Sequence, residues 1–323
     1  MHICGDMNFI EKMQDSARSI NVSANDGEIM SSSLELKAIE ATFFSPAHPE
    51  AVTVDMARVQ SLPVPSLRWK VAQEKHSEFP GRQLAHIQRE DFLQYAHAWL
   101  RAPRSDRGGE AYVTSGLVQH PQRPDRPAGL IYSRHIPHLG NQLSFRGLDT
   151  ERDQETLHAW MNNERVNAFW GMKGAPEFHR RLLQALLADK HAQPLIGEFD
   201  DTPFGYFDVY WAKEDKVGQH YDATDFDRGL HMLVGNDQFR GAHRVAAWLP
   251  SLAHYAFLDE PRTQRLVCEP RIDNERMIDY LLRFGFTKIG PIDFPHKKAL
   301  LLVLTKEAFL KGGMRPDFCQ PAN

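Results

Sequence analysis

Cysteine is scarce in this chain. Cys4, Cys268 and Cys319 are the only three in 323 residues, and no two stand at CxxC spacing. That excludes a thiolate zinc cluster within the chain and argues against a disulfide framework. Cys268 sits in an apolar run and reads as a small buried hydrophobe. The sixteen histidines form neither HxH nor HExxH spacing, so no metal is expected. No run approaches the roughly 18 apolar residues a membrane helix needs. The opening MHICGDMNFIEKMQDS lacks the basic-then-apolar order of a secretory signal, so the expected location is cytoplasmic, without a membrane partner. A net charge of -4 supplies no broad basic field, and nucleic acid is not expected either. Internal repeats and low-complexity tracts are also missing.

What is present is ordinary globular composition, 42% hydrophobic and 25% charged, in a chain long enough for two domains. Residues 1–35 show little periodicity and are expected to be poorly ordered. Residues 36–118 read as a small α+β domain. Its strand candidates are Ala41 to Phe44, Ala51 to Val54 and Leu67 to Val71, and its helix runs from Arg89 to Leu100. Residues 119–140 carry Pro121, Pro124, Pro127 and Pro137, which suit a stiff extended linker. A second domain follows at 141–312, with a tail at 313–323.

In that domain Leu143 to Arg146 is a strand, and Asp149 or Thr150 caps a helix reaching about Val166. Another helix spans Pro176 to Asp189 with proline in its first turn. Pro194 to Phe199 and Phe204 to Trp211 are strands joined by a hairpin-length turn. Phe226 to Val245 then changes period: an apolar strand interrupted by His231, the turn Asn236 to Gly241, and a helix from Ala242 to Phe257. Unpaired N–H groups and partial positive charge at that helix start suit a phosphate or pyrophosphate, with Arg240, His243 and Arg244 nearby. An ordinary strand-to-helix connection with solvated arginines explains the same residues. After it come strand Arg265 to Glu269, helix Asp273 to Phe284, and strands Phe286 to Ile292 and Lys298 to Leu304.

The order β-αα-βββ-α-β-α-ββ resembles that of the GCN5-related N-acetyltransferases, whose fold is a mixed central sheet flanked by helices. In that family a Q/R-x-x-G-x-G/A turn holds the pyrophosphate of acetyl-coenzyme A. Here the turn reads Gln238-Phe239-Arg240-Gly241-Ala242-His243, with histidine where a small residue is usual. The tyrosine often proposed as general acid is replaced by Leu281. Tyr280 lies one residue away, about 100 degrees round a helix.

Longer runs resemble one subgroup, the hydroxamate-siderophore acyltransferases, and in particular its N6-hydroxylysine branch. These are LHAWMNNERV, PLIGEFDDTPFGYFDVYWAKEDKVGQHY, FDRGLHMLVG, RGAHRV, EPRTQRLVCEPRIDNERM and DFPHKKALLL, within about Gln119 to Phe309. The resemblance implies acetyl transfer from acetyl-coenzyme A to the nitrogen of an N-hydroxylated ω-amine. It also implies His231 and Glu269 as catalytic residues. On the donor side it implies Met232, Leu233, Val234, Arg240, Gly241, Ala242, His243, Arg244 and Asn274. N-hydroxyputrescine, N-hydroxycadaverine and a succinyl donor stay open, as does a non-catalytic coenzyme A-binding module. A homo-oligomer is open too.

The chemistry fits those residue types. A hydroxylamine is largely unprotonated at neutral pH, so the enzyme must position it, stabilise an oxyanion and move a proton. A histidine with an ordinary pKa near 6.5 suits the proton, although a histidine in an apolar strand also reads as a satisfied core residue. A backbone N–H of Met232 to Val234 is the expected oxyanion donor. Glu269 either assists His231 or faces water, and Asp273 reads as a helix cap or a ligand. Asp208, Trp211, Asn162, Asp273 and His296 are candidates for the acceptor cleft. Alternation puts Tyr206, Asp208 and Tyr210 on one face and Phe207, Val209 and Trp211 on the other, with the cleft face undecided.

Overall fold

The computed structural model describes residues 19–21, 32–44, 49–55, 70–73, 83–104, 111–312 and 314, which group into two units, 1–98 and 99–323. In the first, β1 (Ser19–Asn21), β2 (Ala51–Asp55), β4 (Gln83–Gln88) and β3 (Lys70–Gln73) form a sheet in that order. Helix α1 (Ser32–Phe43) includes most of the segment expected as a strand at 41–44, because Ile39 and Phe43, four residues apart, are both fully buried on one helical face. The expectations for 1–35 and 313–323 fall mostly outside the described residues. The helix expected from Arg89 to Leu100 stops early, as α2 (Arg89–Leu93) and a 3-10 turn.

The second unit holds a hairpin, β5 (Tyr112–Ser115) with β6 (Val118–Pro121), and an eight-stranded sheet in the order β13-β14-β12-β11-β10-β9-β8-β7. Its strands are β7 (Leu130–Ile136), β8 (Asn141–Gly147), β9 (Ala192–Phe199), β10 (Thr202–Trp211), β11 (Arg228–Val234), β12 (Arg265–Cys268), β13 (Thr287–Phe294) and β14 (Lys297–Thr305). The segment expected as a linker at 119–140 therefore supplies an edge strand, and the boundary lies at 98/99. Pro124 and Pro127 precede β7, whose backbone is free to bond β8 and the Trp99–Arg101 segment. The Leu100 bridge to Tyr132 also explains why the preceding helix cannot reach Leu100.

Helices α3 (Thr150–Asn162), α4 (Glu164–Trp170) and α5 (Pro176–Ala188) follow β8. Asp149 caps α3 by accepting from the N–H groups of Glu151 and Arg152. The single helix expected to Val166 breaks at Asn163, which leaves helical geometry and caps α4 by accepting from Arg165 N–H. Leu157, Trp160 and Leu183 pack with Ile196, Tyr206 and Leu233 on one face of the sheet. The opposite face is covered by α6 (Ala242–Asp259), with Trp248 against Phe207 at 5.5 Å. After it come α7 (Glu275–Phe284) and α8 (Lys306–Gly312).

One pairing organises the site. β11 and β12 are parallel, joined across α6, and pair only at Arg228↔Leu266 and Gly229↔Val267. β12 ends at Cys268 while β11 continues through Leu230–Val234 beside β10 alone, so the sheet splits there.

Candidate active site

Cross-strand register assembles the floor of the split. On β10 and β11, Tyr206 lies opposite Leu233, Asp208 opposite His231 and Tyr210 opposite Gly229. A side chain at Gly229 would stand 1.9 Å from the Tyr210 ring, so glycine is what lets that phenol cross the strand. The face left undecided by alternation is thereby settled. Tyr206, Asp208 and Tyr210 share a cleft of about 730 Å³ with His231, Met232, Glu269, Asn274 and His296.

His231 is held between two carboxylates. Its Nε2 meets Glu269 Oε1 at 2.9 Å, and its Nδ1 lies 3.9 Å from Asp208 Oδ2. Glu269 also accepts from Tyr210 OH at 2.8 Å, and Lys297 Nζ donates to the Glu269 carbonyl at 2.9 Å. Tyr206 OH donates to Asp208 Oδ2 at 2.8 Å. The Tyr210 ring lies 4.6 Å from the imidazole, and Trp170 covers it at 6.4 Å, edge on.

Burial alone would lower the His231 pKa, but the Glu269 and Asp208 carboxylates outweigh it and raise the value to about 10. Burial likewise pushes Glu269 up, and the facing imidazole and Lys297 overcome it, holding the carboxyl at about 2. The imidazole keeps 38% of its surface exposed, so solvent screens part of this effect without reversing it. Burial lifts both phenols, Tyr206 and Tyr210, well above their ordinary range, which keeps them hydrogen-bond donors. At neutral pH the site is an imidazolium–carboxylate pair, where an ordinary histidine near 6.5 was expected.

Beyond β11 the chain turns through a 3-10 segment, Asp237–Phe239, into α6. Gly241 precedes that helix at φ 117°, in the region where only glycine is unstrained, and no side chain caps the first turn. The helix start is open to an anion through its backbone.

Residues 149–294 match a family model described as an acetyltransferase (GNAT) domain. Over 212 residues, 65% of this chain and 67% of the relative, the sequence is 44% identical to N(6)-hydroxylysine O-acetyltransferase of Escherichia coli. The chain belongs to the GNAT acyltransferases. This acyltransferase is also 44% identical over 196 residues to a Beauveria bassiana N(5)-hydroxyornithine:cis-anhydromevalonyl coenzyme A-N(5)-transacylase, spanning 59% of this chain but 43% of that one. A hydroxyornithine transacylase of Ajellomyces capsulatus is 42% identical over 198 residues, with 45% of its length covered. The chain thus spans about two thirds of the bacterial relative and under half of the two fungal ones. Among solved structures, an uncharacterized Bacillus halodurans protein superposes with a TM-score of 0.55 at 28% identity, over 58% of this chain and 95% of that one.

GNAT acetyltransferases take acetyl-CoA as acyl donor, and two features of this enzyme suit that molecule. The edge of β11 past Gly229 is unpaired by β12, and the first turn of α6 carries no side-chain cap. The described residues contain no cluster able to hold a metal and no helix long and apolar enough to cross a membrane.

Several expected site residues lie elsewhere. Trp211 is on the opposite face of β10, its ring sandwiched between the Arg123 and Arg228 guanidiniums at 4.1 Å each. Asn162 is occupied in pinning the loop before α5: its amide donates to Gly174 O and its carbonyl accepts from Gly174 N. Asp273 pairs with Arg271 at 2.6 Å outside the cleft lining, and Asn274 caps α7 in its place, accepting from Met277 N–H. Arg244 is engaged by Asn141, to which it donates at 2.7 Å, and lies over the Phe199 ring and over Phe239 of the turn itself. Leu233 sends its side chain into the core under α3 and α5. Arg240 stays at the turn, half-exposed beside Asp237.

Leu281 lines the cleft and Tyr280 does not, which follows from their rotation about α7. Sequence reasoning missed Tyr206, Tyr210, Trp170 and Lys297 as floor residues. It also missed Arg165, which donates to Val234 O at 2.9 Å and to Asp237 Oδ1 at 3.1 Å, tying the end of β11 to the turn. Strand alternation with Asp208 was the available signal for the two tyrosines.

Proposed function

We propose that this acyltransferase moves an acetyl group from acetyl-CoA to the nitrogen of an N-hydroxylated ω-amine, N6-hydroxylysine or a near analogue, giving the hydroxamate of a siderophore. The observation that carries the reading is the imidazole of His231 set between buried Glu269 and Asp208 where β11 parts from β12. The hydroxylysine and hydroxyornithine transacylases among its relatives support the acceptor class.

In this reading the open edge at Met232–Val234 receives the thioester arm, with a backbone N–H there facing the carbonyl oxygen, and Gly241–His243 with Arg240 seat the diphosphate. Asn274 borders the cleft beside the donor, and His296 borders the acceptor end. A neutral hydroxylamine needs no prior deprotonation, so a histidine that begins as imidazolium is no obstacle. His231 gives its proton to the departing sulfur and regains one from the nitrogen. The new C–N bond replaces the C–S bond, and the products are a hydroxamate and the free thiol. Glu269 keeps the imidazole oriented and charged.

The test is thiol release by purified protein with N6-hydroxylysine, N-hydroxyputrescine and N-hydroxycadaverine, each with acetyl- and succinyl-CoA. Product connectivity is read by ferric-complex absorbance. Thiol release together with a ferric-hydroxamate band from N6-hydroxylysine and acetyl-CoA is expected. Thiol release without the band sinks transfer to nitrogen, and no release with any N-hydroxyamine sinks the reading altogether.

A further inference from the structure

The backbone of β11 shows which of its groups the split exposes. At the two ends of the strand the Asp227 carbonyl accepts from Ala212 N–H and Gly235 N–H donates to the Phe204 carbonyl, so the odd-numbered residues turn their backbone groups toward β10. Leu230, Met232 and Val234 therefore turn theirs the other way, where the pairing with β12 has ended at Gly229. The outermost of these carbonyls is already occupied. Arg165, in the first turn of α4, donates from Nη2 to the Val234 carbonyl at 2.9 Å and reaches the Gly235 carbonyl at 3.4 Å. Its Nε donates to Asp237 Oδ1 at 3.1 Å, and Asn163 Nδ2 donates to the other oxygen of Asp237 at 3.3 Å. Asn163 also accepts from Arg165 N–H, which fastens the start of α4 to the strand end and to the turn at once.

The ion pair itself contributes little, because the Arg165 and Asp237 side chains are 32% and 56% exposed. The guanidinium matters for where it stands. It takes the place of a strand partner at the outer end of the open edge, beside the turn that leads to Gly241, and leaves the Met232 carbonyl as the next one inward. Acetyl-CoA carries its thioester on an arm with two amide groups, and an open strand edge pairs with such groups at intervals of two residues, roughly 7 Å. A slip of one interval carries the thioester that far along β11 from His231, whereas a misplacement of about 1 Å can already cost about 100-fold in rate.

Resting on the donor placement proposed above, we infer that Arg165 is a positioning residue for the acyl donor: by keeping the Val234 carbonyl for itself, it makes the arm pair at Met232 and so brings the thioester to His231. Asp237 and Asn163 hold the guanidinium there.

The first test is a crystal structure of the wild-type protein with coenzyme A. Arg165 should remain on the Val234 carbonyl, with an amide of the arm on Met232. An amide of the arm on the Val234 carbonyl, with Arg165 displaced, overturns the assignment, and no variant has to fold for that result. A donor lying outside the split overturns this role and the proposed donor placement together. The second test compares Arg165→Ala and Arg165→Lys with wild type, by thiol release with an N-hydroxyamine that wild type acetylates and by calorimetric titration with acetyl-CoA. R165A should lose about 100-fold in kcat while its Kd for acetyl-CoA stays within about threefold, because the arm still binds but out of register. R165K keeps a donor for the Val234 carbonyl and should recover about tenfold of that loss. A weakened Kd with kcat unchanged makes Arg165 a binding charge and overturns the positioning role, as does a variant unchanged in both. Those outcomes leave transfer to an N-hydroxyamine standing, and a wild-type protein that acetylates none sinks that transfer while the crystal structure still decides the role of Arg165.

Discussion

The roles proposed for the two ends of β11 rest on different kinds of structure. At its middle, His231 depends on Asp208 of β10 and on Glu269, just past the end of β12, in a cleft where charge is weakly screened. Just past its end, the turn into α6 depends on backbone conformation: Gly241 at φ 117° and an uncapped helix start, both at the surface. Chemistry that moves a proton needs particular residues brought together by tertiary pairing. Chemistry that holds a diphosphate needs only N–H groups aimed outward. Changes at the floor should therefore appear in kcat, and changes at the turn in KM for acetyl-CoA.

The hardest blow to that division is His231→Ala, for which we expect kcat to fall by about 10³-fold with acetyl-CoA affinity within about twofold, read by thiol release and calorimetric titration. An equal loss of donor affinity would break the comparison.

Glu269→Gln should cost about 10²-fold and also move the pH profile. Glu269 is the leading cause that raises His231, so its loss lowers the imidazole pKa from about 10 and shifts the alkaline decline of kcat/KM to lower pH. An unmoved alkaline limb would mean that another group titrates there.

The same pair acts on stability, with opposite signs at the two extremes. His231 is raised from 6.5, so its contribution is complete below that pH and lost as pH rises through about 10. Glu269 is lowered from 4.5, so its contribution is present above that pH and lost as pH falls toward about 2. Denaturant melts across pH should show E269Q flattening both slopes.

At the other end, Gly241→Val should raise KM for acetyl-CoA by about tenfold and leave kcat at saturation near wild type. A β-branched residue is strained at positive φ, and the first added carbon already meets the His243 ring at 2.8 Å. The smallest effect is expected for Tyr280→Phe. Within about twofold of wild type in every parameter, it would agree with α7 presenting Leu281 to the cleft, while a large loss of kcat would point to Tyr280 as a proton donor.

Much of the second unit was legible. The strand–turn–helix at 228–259 shows itself because its period changes from two to 3.6 within a few residues, and because glycine sits where the backbone leaves allowed space for other residues. The runs around them singled out His231 and Glu269, which the structure brings together at 2.9 Å. Trp211 was not excluded, since alternation sorts β10 into two faces without saying which one the cleft uses. Arg123 and Arg228, which claim its ring, lie 88 and 17 residues away. Asn162 looked like a cleft residue because it lies in a distinctive run, but that run serves to fasten the loop at Gly174. The edge strand β7 was hidden among prolines that stop just short of it.

Most of the element order from β8 onward and the open helix start at Gly241 were decided by sequence alone, since each follows from local periodicity and backbone preference. Only the tertiary structure decided that Asp208, His231 and Glu269 converge and that the two carboxylates raise the imidazole pKa. Those properties come from cross-strand register and from burial, which are set by residues distant in sequence and cannot be read from any one segment.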